Sequence, residues 1–199
     1  MRVFVAGATG VIGIRLVPLL AEAGNDVFGM TRNPANAPAI EAMGAKAVVC
    51  DAFDAAGVRD AVERARPEVL VNVLSDLPDE LEEPAASTGA NARIRREGSR
   101  ILLDAAGASA VGRIVSYSVA WPLEGDEGRA VRDMERDVLD AGGVVVRCGR
   151  LYGPGTWYAD VLPPPPRIHV DDAARRSLVA LEAPSGTIEL TDDGIETAR

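Results

Sequence analysis

The sequence predicts an α/β fold in which a doubly wound parallel sheet is covered by helices on both faces. Three observations carry this expectation. Short β-branched runs alternate with longer helical patterns from residue 2 onward. Most of these runs are near-continuously apolar, as strands buried on both faces must be. A glycine-rich turn, Gly7-Ala8-Thr9-Gly10-Val11-Ile12-Gly13, joins the first run to the first helical stretch. Together they describe a Rossmann-type sheet with right-handed crossovers.

Strands are expected at Val3–Ala6, Asp26–Met30, Ala47–Val49, Val69–Val73, Arg113–Tyr117 and Val144–Arg147, with a last short one at Thr187–Leu190. Helical stretches lie near 11–23, 34–43, 54–65, 89–107 and 126–141. Gly24-Asn25 is a helix stop followed by a turn, and Asp54 stands where it can cap the third stretch. The pattern changes after Tyr152: Gly153-Pro154-Gly155 opens an irregular segment, and the four prolines Pro163–Pro166 exclude helix or central strand. Val170–Glu182 reads as one more helix, with Asp171 and Asp172 complementing its N-terminal dipole.

The chain has 199 residues, 47% of them hydrophobic and 26% charged, which fits a single globular domain over 1–199. Its 21 basic and 30 acidic residues give a formal charge of −9, which argues against a broad nucleic-acid surface but permits a local basic pocket. No apolar run approaches the roughly 20 residues of a membrane span. Strand-like Arg2–Ala6 follows the first residue directly, leaving no room for a signal peptide. Cys50 and Cys148 read as reduced core thiols, so the cytoplasm is the expected compartment. One histidine and two distant cysteines provide no metal-ligand spacing.

The glycine turn has the arrangement that a dinucleotide needs. Gly7 allows the tight turn, Gly10 lets backbone approach a pyrophosphate, and Gly13 lets the helix pack on the sheet; the helix N-terminus then faces the anion. The second strand ends Gly29-Met30-Thr31-Arg32-Asn33, with no acidic residue for a ribose 2′-hydroxyl. Arg32 offers a guanidinium for a 2′-phosphate instead, so NADP(H) is favoured over NAD(H), with a solvated surface arginine as the alternative. Asp51, after the third strand, is placed either to touch adenine or to serve as a turn residue.

At this point the sequence resembles a family. Gly7–Gly13, Asp51, Val71-Asn72-Val73-Leu74, Arg113–Ser118, Arg147–Gly155 and His169-Val170-Asp171-Asp172-Ala173-Ala174 occur in the order seen in extended short-chain dehydrogenase/reductases, nearest to the NAD-dependent epimerase/dehydratase group. The resemblance implies NAD(P) binding, with Gly7, Thr9, Gly10, Val11, Ile12, Gly13, Asp51 and Leu74 at the cofactor. It also implies a core over 1–152, followed at 153–199 by a much reduced substrate region and the last core elements.

The departures are as informative. The family's Tyr-x-x-x-Lys, its proton relay, has no counterpart: Glu127 falls at the tyrosine position, Val131 at the lysine position, and Lys46 is the sole lysine. Ser118 falls near the catalytic serine, although a shift of one residue would place Val119 there; Tyr117 should face the opposite side of the sheet and pack. Tyr152, Trp157 and Tyr158 follow the last core strand, where they either stack on a ligand or close a loop. The resemblance makes His169 a packing residue. The family's usual dimer surface carries charges here, at Arg93, Arg95, Arg96, Asp133, Arg136 and Asp137, leaving a homodimer open but not required.

Three functions compete. The first is an NADP(H)-dependent oxidoreductase for a small or flat substrate needing little acid catalysis, such as a flavin or quinone, with Ser118 and Tyr152 contacting the reacting end. The second is a catalytically silent dinucleotide-binding regulator or partner subunit. The third is a nucleotide-sugar epimerase/dehydratase with a displaced acid–base group.

Overall fold

The computed structural model describes residues 1–77 and 84–198. The core strands are β1 (Arg2–Ala6), β2 (Asp26–Thr31), β3 (Lys46–Val49), β4 (Val69–Asn72), β5 (Arg113–Val119), β6 (Val144–Cys148), β9 (Gly186–Thr191) and β10 (Gly194–Ala198). They form one sheet in the order β10-β9-β6-β5-β4-β1-β2-β3, parallel throughout except for β10 against β9. Chain order reverses at β1, which pairs with β2 on one side and β4 on the other. Ligands bind in such sheets at the carboxyl ends of the strands flanking that point.

Alternation along each strand divides the core into two layers. Val3 and Val5 face Leu16, Val17 and Leu20 of α1 (Gly13–Glu22), Ile40 of α2 (Ala37–Ala42), and Val170 and Ala173 of α7 (Val170–Arg176). Phe4 and Ala6 face Val58 and Val62 of α3 (Ala55–Ala65), Leu102 and Ala106 of α5 (Ser99–Ala108), and Val138 of α6 (Gly125–Asp140). Asp54 caps α3 as expected, accepting from the Gly57 amide at 3.0 Å. The last helix is shorter than expected, its final turns being 3-10 over Ser177–Leu181.

The stretch expected as one helix over 89–107 is instead α4 (Pro84–Arg93), a π turn at Ile94–Gly98, and α5. A π turn holds more residues than an α turn and so changes which side chains face inward. This corrects the placement of Arg95 on the charged outer face: it is buried, 7% exposed, against α6. Of the other charges of that surface, Arg96 pairs across the helices with Asp126 at 2.7 Å and Asp137 with Arg100 at 3.1 Å, whereas Arg93 pairs with Glu97 and Arg136 with Asp133 along the chain.

Three strands lie outside the sequence expectation. β7 (Arg150–Tyr152) and β8 (Arg167–His169) form a separate parallel pair of three residues each, too short for periodicity to register. β10, Gly-Ile-Glu-Thr-Ala, is a sheet edge without the apolar run that marks a buried strand. His169 packs as expected, accepting from the Asp171 amide at 3.3 Å as the cap of α7 and meeting the Tyr152 ring edge-on at 5.3 Å. Gly153 is needed beside it, because a Cβ there would stand 2.5 Å from the His169 Nε2.

Candidate functional site

A cleft of about 350 Å³ opens at the carboxyl ends of β1, β2, β3 and β4, around the reversal point. Each strand sends a loop into its wall: Gly7, Thr9 and Gly10 after β1, Thr31 to Asn33 at the end of β2, Cys50 to Phe53 after β3, and Val73 to Asp76 after β4.

The glycines divide the labour as their local geometry requires. Gly7 has φ +93°, and a Cβ on it would meet the Val73 backbone at 3.1 Å. A Cβ on Gly13 would stand 2.2 Å from the Gly7 carbonyl oxygen and 2.6 Å from the Ala8 carbonyl carbon, so this glycine sets how closely α1 approaches β1. A Cβ on Gly10 would meet only the Gly7 oxygen, at 3.4 Å, and otherwise faces open space on the cleft side. The amides of Thr9, Val11, Ile12 and Gly13 donate to no protein acceptor among the described residues, while Ile14 onward bonds back into the helix. Free amides, a helix dipole and a glycine floor are the features that can hold an anion.

The other expected cofactor residues divide into those that line the cleft and those that do not. Arg32, Asp51 and Leu74 line it, with Gly7, Thr9 and Gly10; Val11, Ile12 and Gly13 do not. The Arg32 side chain is 71% exposed and lies 3.7 Å from Asp76 across the cleft. Asp51 also holds its own turn, accepting from the Phe53 amide at 2.9 Å. Cys50 is half-buried, and burial followed by the Asp54 and Asp51 carboxylates pushes its thiol up. The expectation of a core thiol therefore holds for buried Cys148 and needs correcting for Cys50, which lines the cleft.

The NAD(P)H-binding family matches residues 7–141, from the first glycine of this turn to the end of α6. The chain belongs to that family. A 3-diazoavenalumate denitrifying reductase from a Streptomyces species is 36% identical over 236 residues, covering 97% of this chain and 76% of the relative. Among solved structures, the Thermotoga maritima UDP-glucose 4-epimerase with UDP-glucose superposes with a TM-score of 0.80 at 17% identity, over 99% of this chain and 79% of that one. The Thermus thermophilus UDP-glucose 4-epimerase complexed with NAD gives 0.77 at 18%, over 99% and 79%. These structures share the fold of this NAD(P)H-binding protein.

Neither Ser118 nor Tyr152 lines this cleft. Ser118 is 5% exposed, and its hydroxyl donates to the Glu135 carboxylate at 2.5 Å. Arg147 grips the same carboxylate with both arms of its fork, at 3.0 and 2.5 Å. Tyr117 faces the other layer, where its hydroxyl bonds Ser177, and burial pushes it well above the ordinary phenol range. Tyr152 donates to Asp192 at 3.2 Å; desolvation and that carboxylate both raise it.

The residues that the sequence resemblance sets at the Tyr-x-x-x-Lys positions lie on α6. Glu127 accepts from Asn91 Nδ2 at 2.9 Å, and Asn91 Oδ1 accepts from the Asp76 amide at 3.2 Å, so α6 is tied to the cleft wall. Val131 is 7% exposed. Arg95 lies between the helices with its Nε meeting no hydrogen-bond partner among the described residues; burial pulls it down, and Glu127 and Glu135 oppose that shift. Sequence reasoning gave Asn91 no role and placed Arg95 on the outer face, whereas α4 and the π turn after it both pack against α6.

Proposed function

We propose that this protein is an NADPH-dependent reductase whose substrate accepts hydride without receiving a proton from a Tyr–Lys relay. The observation that carries this reading is α6 itself, which presents Glu127 and Val131 at the relay positions, neither a phenol nor an ammonium. A carbonyl substrate needs a proton as hydride arrives, because an alkoxide would otherwise form. An arenediazonium does not. Hydride adds at the ring carbon, the carbon–nitrogen bond breaks, N₂ leaves with the bonding electrons, and the positive charge passes to the nicotinamide. The denitrifying reductase relative, acting on a diazo compound, supports this substrate class over a flavin, a quinone or a nucleotide sugar.

In this reading the free amides at the start of α1 hold the pyrophosphate, Arg32 turns from Asp76 to a 2′-phosphate, and Asp51 and Leu74 flank the adenine and ribose end. The bound nicotinamide supplies the hydride; the chain orients it, excludes water and holds the acceptor. Ser118 acts through Glu135 rather than on the substrate, and Tyr152 braces the segment after β6. The protein works as one domain in the cytoplasm. The test is protein-dependent oxidation of NADPH by 4-carboxybenzenediazonium, compared with a flavin, a quinone and a small aldehyde. Turnover confined to the diazonium supports the reading. Tight cofactor binding with no turnover on any acceptor favours a silent binding protein.

A further inference from the structure

A second cleft, of about 290 Å³, opens beyond the carboxyl ends of β5 and β6, between the loop after β5 and one face of α6. Its walls include Val119, Trp121, Val131, Arg132, Glu135 and Arg147. The strand before this loop, β5, is the direct neighbour of β4, whose own following loop walls the dinucleotide cleft. Both clefts therefore open on the same edge of the sheet, on adjacent strands. The volume is at the low end for small-molecule sites, roughly 300–1,000 Å³, which suits one ring with a short chain rather than a nucleotide sugar.

The charges in this cleft differ from those around it. Elsewhere on α6 the arginines are matched: Arg129 with Asp126 at 3.3 Å, and Arg136 with Asp133 at 3.1 Å. Arg132 lies between them in sequence, is exposed, and pairs with no carboxylate among the described residues. The lining carboxylate, Glu135, is already committed to both arms of Arg147 and to Ser118. Glu189 on β9 flanks Arg147 from outside the lining. The lining thus retains one unmatched positive charge, in a chain whose formal charge is −9. Trp121 gives the cleft a flat apolar wall, its indole fixed by the Arg150 guanidinium 4.8 Å from the ring centroid.

We propose that this second cleft binds the carboxylate of a planar, conjugated small molecule, with Arg132 pairing the anion and Trp121 against the ring. As the acceptor site it rests on the reductase reading, and it extends that reading by naming the feature that the acceptor must carry. A guanidinium pairs a carboxylate through two parallel hydrogen bonds, and a flat ring buries most area against a flat wall.

The test uses the whole chain loaded with NADP⁺, titrated calorimetrically with cinnamate and, separately, with cinnamamide. Cinnamate should bind at least tenfold more tightly than the amide. Arg132→Gln should erase that preference while leaving NADPH affinity unchanged, and Trp121→Phe should retain more binding of both ligands than Trp121→Ala. Equal binding of acid and amide, absence of binding by either, or a preference that survives Arg132→Gln would overturn the inference. Cinnamate selectivity without diazonium turnover leaves this site standing and removes the reductase reading. Turnover indifferent to the carboxylate does the reverse.

Discussion

The α carbon of Gly13 lies so close to the Gly7 carbonyl that a methyl group on it would stand 2.2 Å from that oxygen, whereas the same methyl on Gly10 would clear it by 3.4 Å. The two substitutions should therefore fail differently. Gly13→Ala forces α1 away from β1 and should cost about 1–3 kcal/mol of stability by overpacking. Gly10→Val should fold with nearly normal stability and lose NADPH binding, because its side chain fills the anion's place. Thermal melts and NADPH fluorescence titrations of both variants check this; a stable Gly10→Val protein with normal affinity would count against the anion site.

Arg32 and Asp76 face each other across the cleft at 3.7 Å, mostly in solvent, where such a pair adds little stability. A 2′-phosphate would displace Asp76 as the partner of Arg32. Arg32→Ala should weaken NADPH about tenfold or more, in line with the roughly 1.5–3 kcal/mol of a hydrogen bond to a charged group, and leave NADH unchanged. Asp76→Asn should strengthen NADPH. Loss of both cofactors alike in Arg32→Ala would point to a general role for this residue.

Glu135 is only 8% exposed at its side chain and depends on Arg147 and Ser118 for partners. Arg147→Met should cost about 2–4 kcal/mol, below the worst case for a stranded buried charge because Arg147 is itself 40% exposed. Ser118→Ala, which leaves the Arg147 fork in place, should cost about 1–2 kcal/mol. Urea unfolding measures both. If Ser118→Ala preserves stability but abolishes turnover, its hydroxyl acts on the substrate and not on Glu135.

Burial raises the Cys148 thiol from 9.0 to about 12. Folding therefore favours the protonated form. The sign follows: this contribution is intact below pH 9, where both states hold the proton, and declines as pH rises toward 12, because the unfolded chain ionises first. At pH 10.5 the loss from this group should be about 2 kcal/mol, taking ~1.4 kcal/mol per unit. Cys148→Ala should reduce the alkaline loss of stability by that amount, without removing the share that comes from buried Tyr117. An unchanged alkaline slope would show that Cys148 has an ordinary pKa.

The central sheet was legible because its signal is local. Val3, Phe4 and Val5 in an apolar run, with glycines at 7, 10 and 13, specify strand, turn and helix within a dozen residues. The first cleft was legible for the same reason, since each wall follows directly from the end of a strand. The second cleft was not. Trp121, Arg132 and Arg147 come from a loop, a helix and a strand, and only the β5–β6 register and the pitch of α6 bring them together. Arg95 was misplaced because a single π turn, which no periodicity announces, rotates it inward.

The most direct test follows the hydride itself. NADPH carrying deuterium at the transferable C4 position is incubated in ordinary water with 4-carboxybenzenediazonium and the protein, between pH 5.5 and 7.5. The expected product is benzoate with deuterium at the carbon that lost nitrogen, formed with one N₂ per NADPH oxidised, at a rate showing no titrating acid across that range. Product without deuterium, or a rate that falls with the ionisation of an enzyme group, would contradict proton-independent hydride transfer by this NAD(P)H-binding protein.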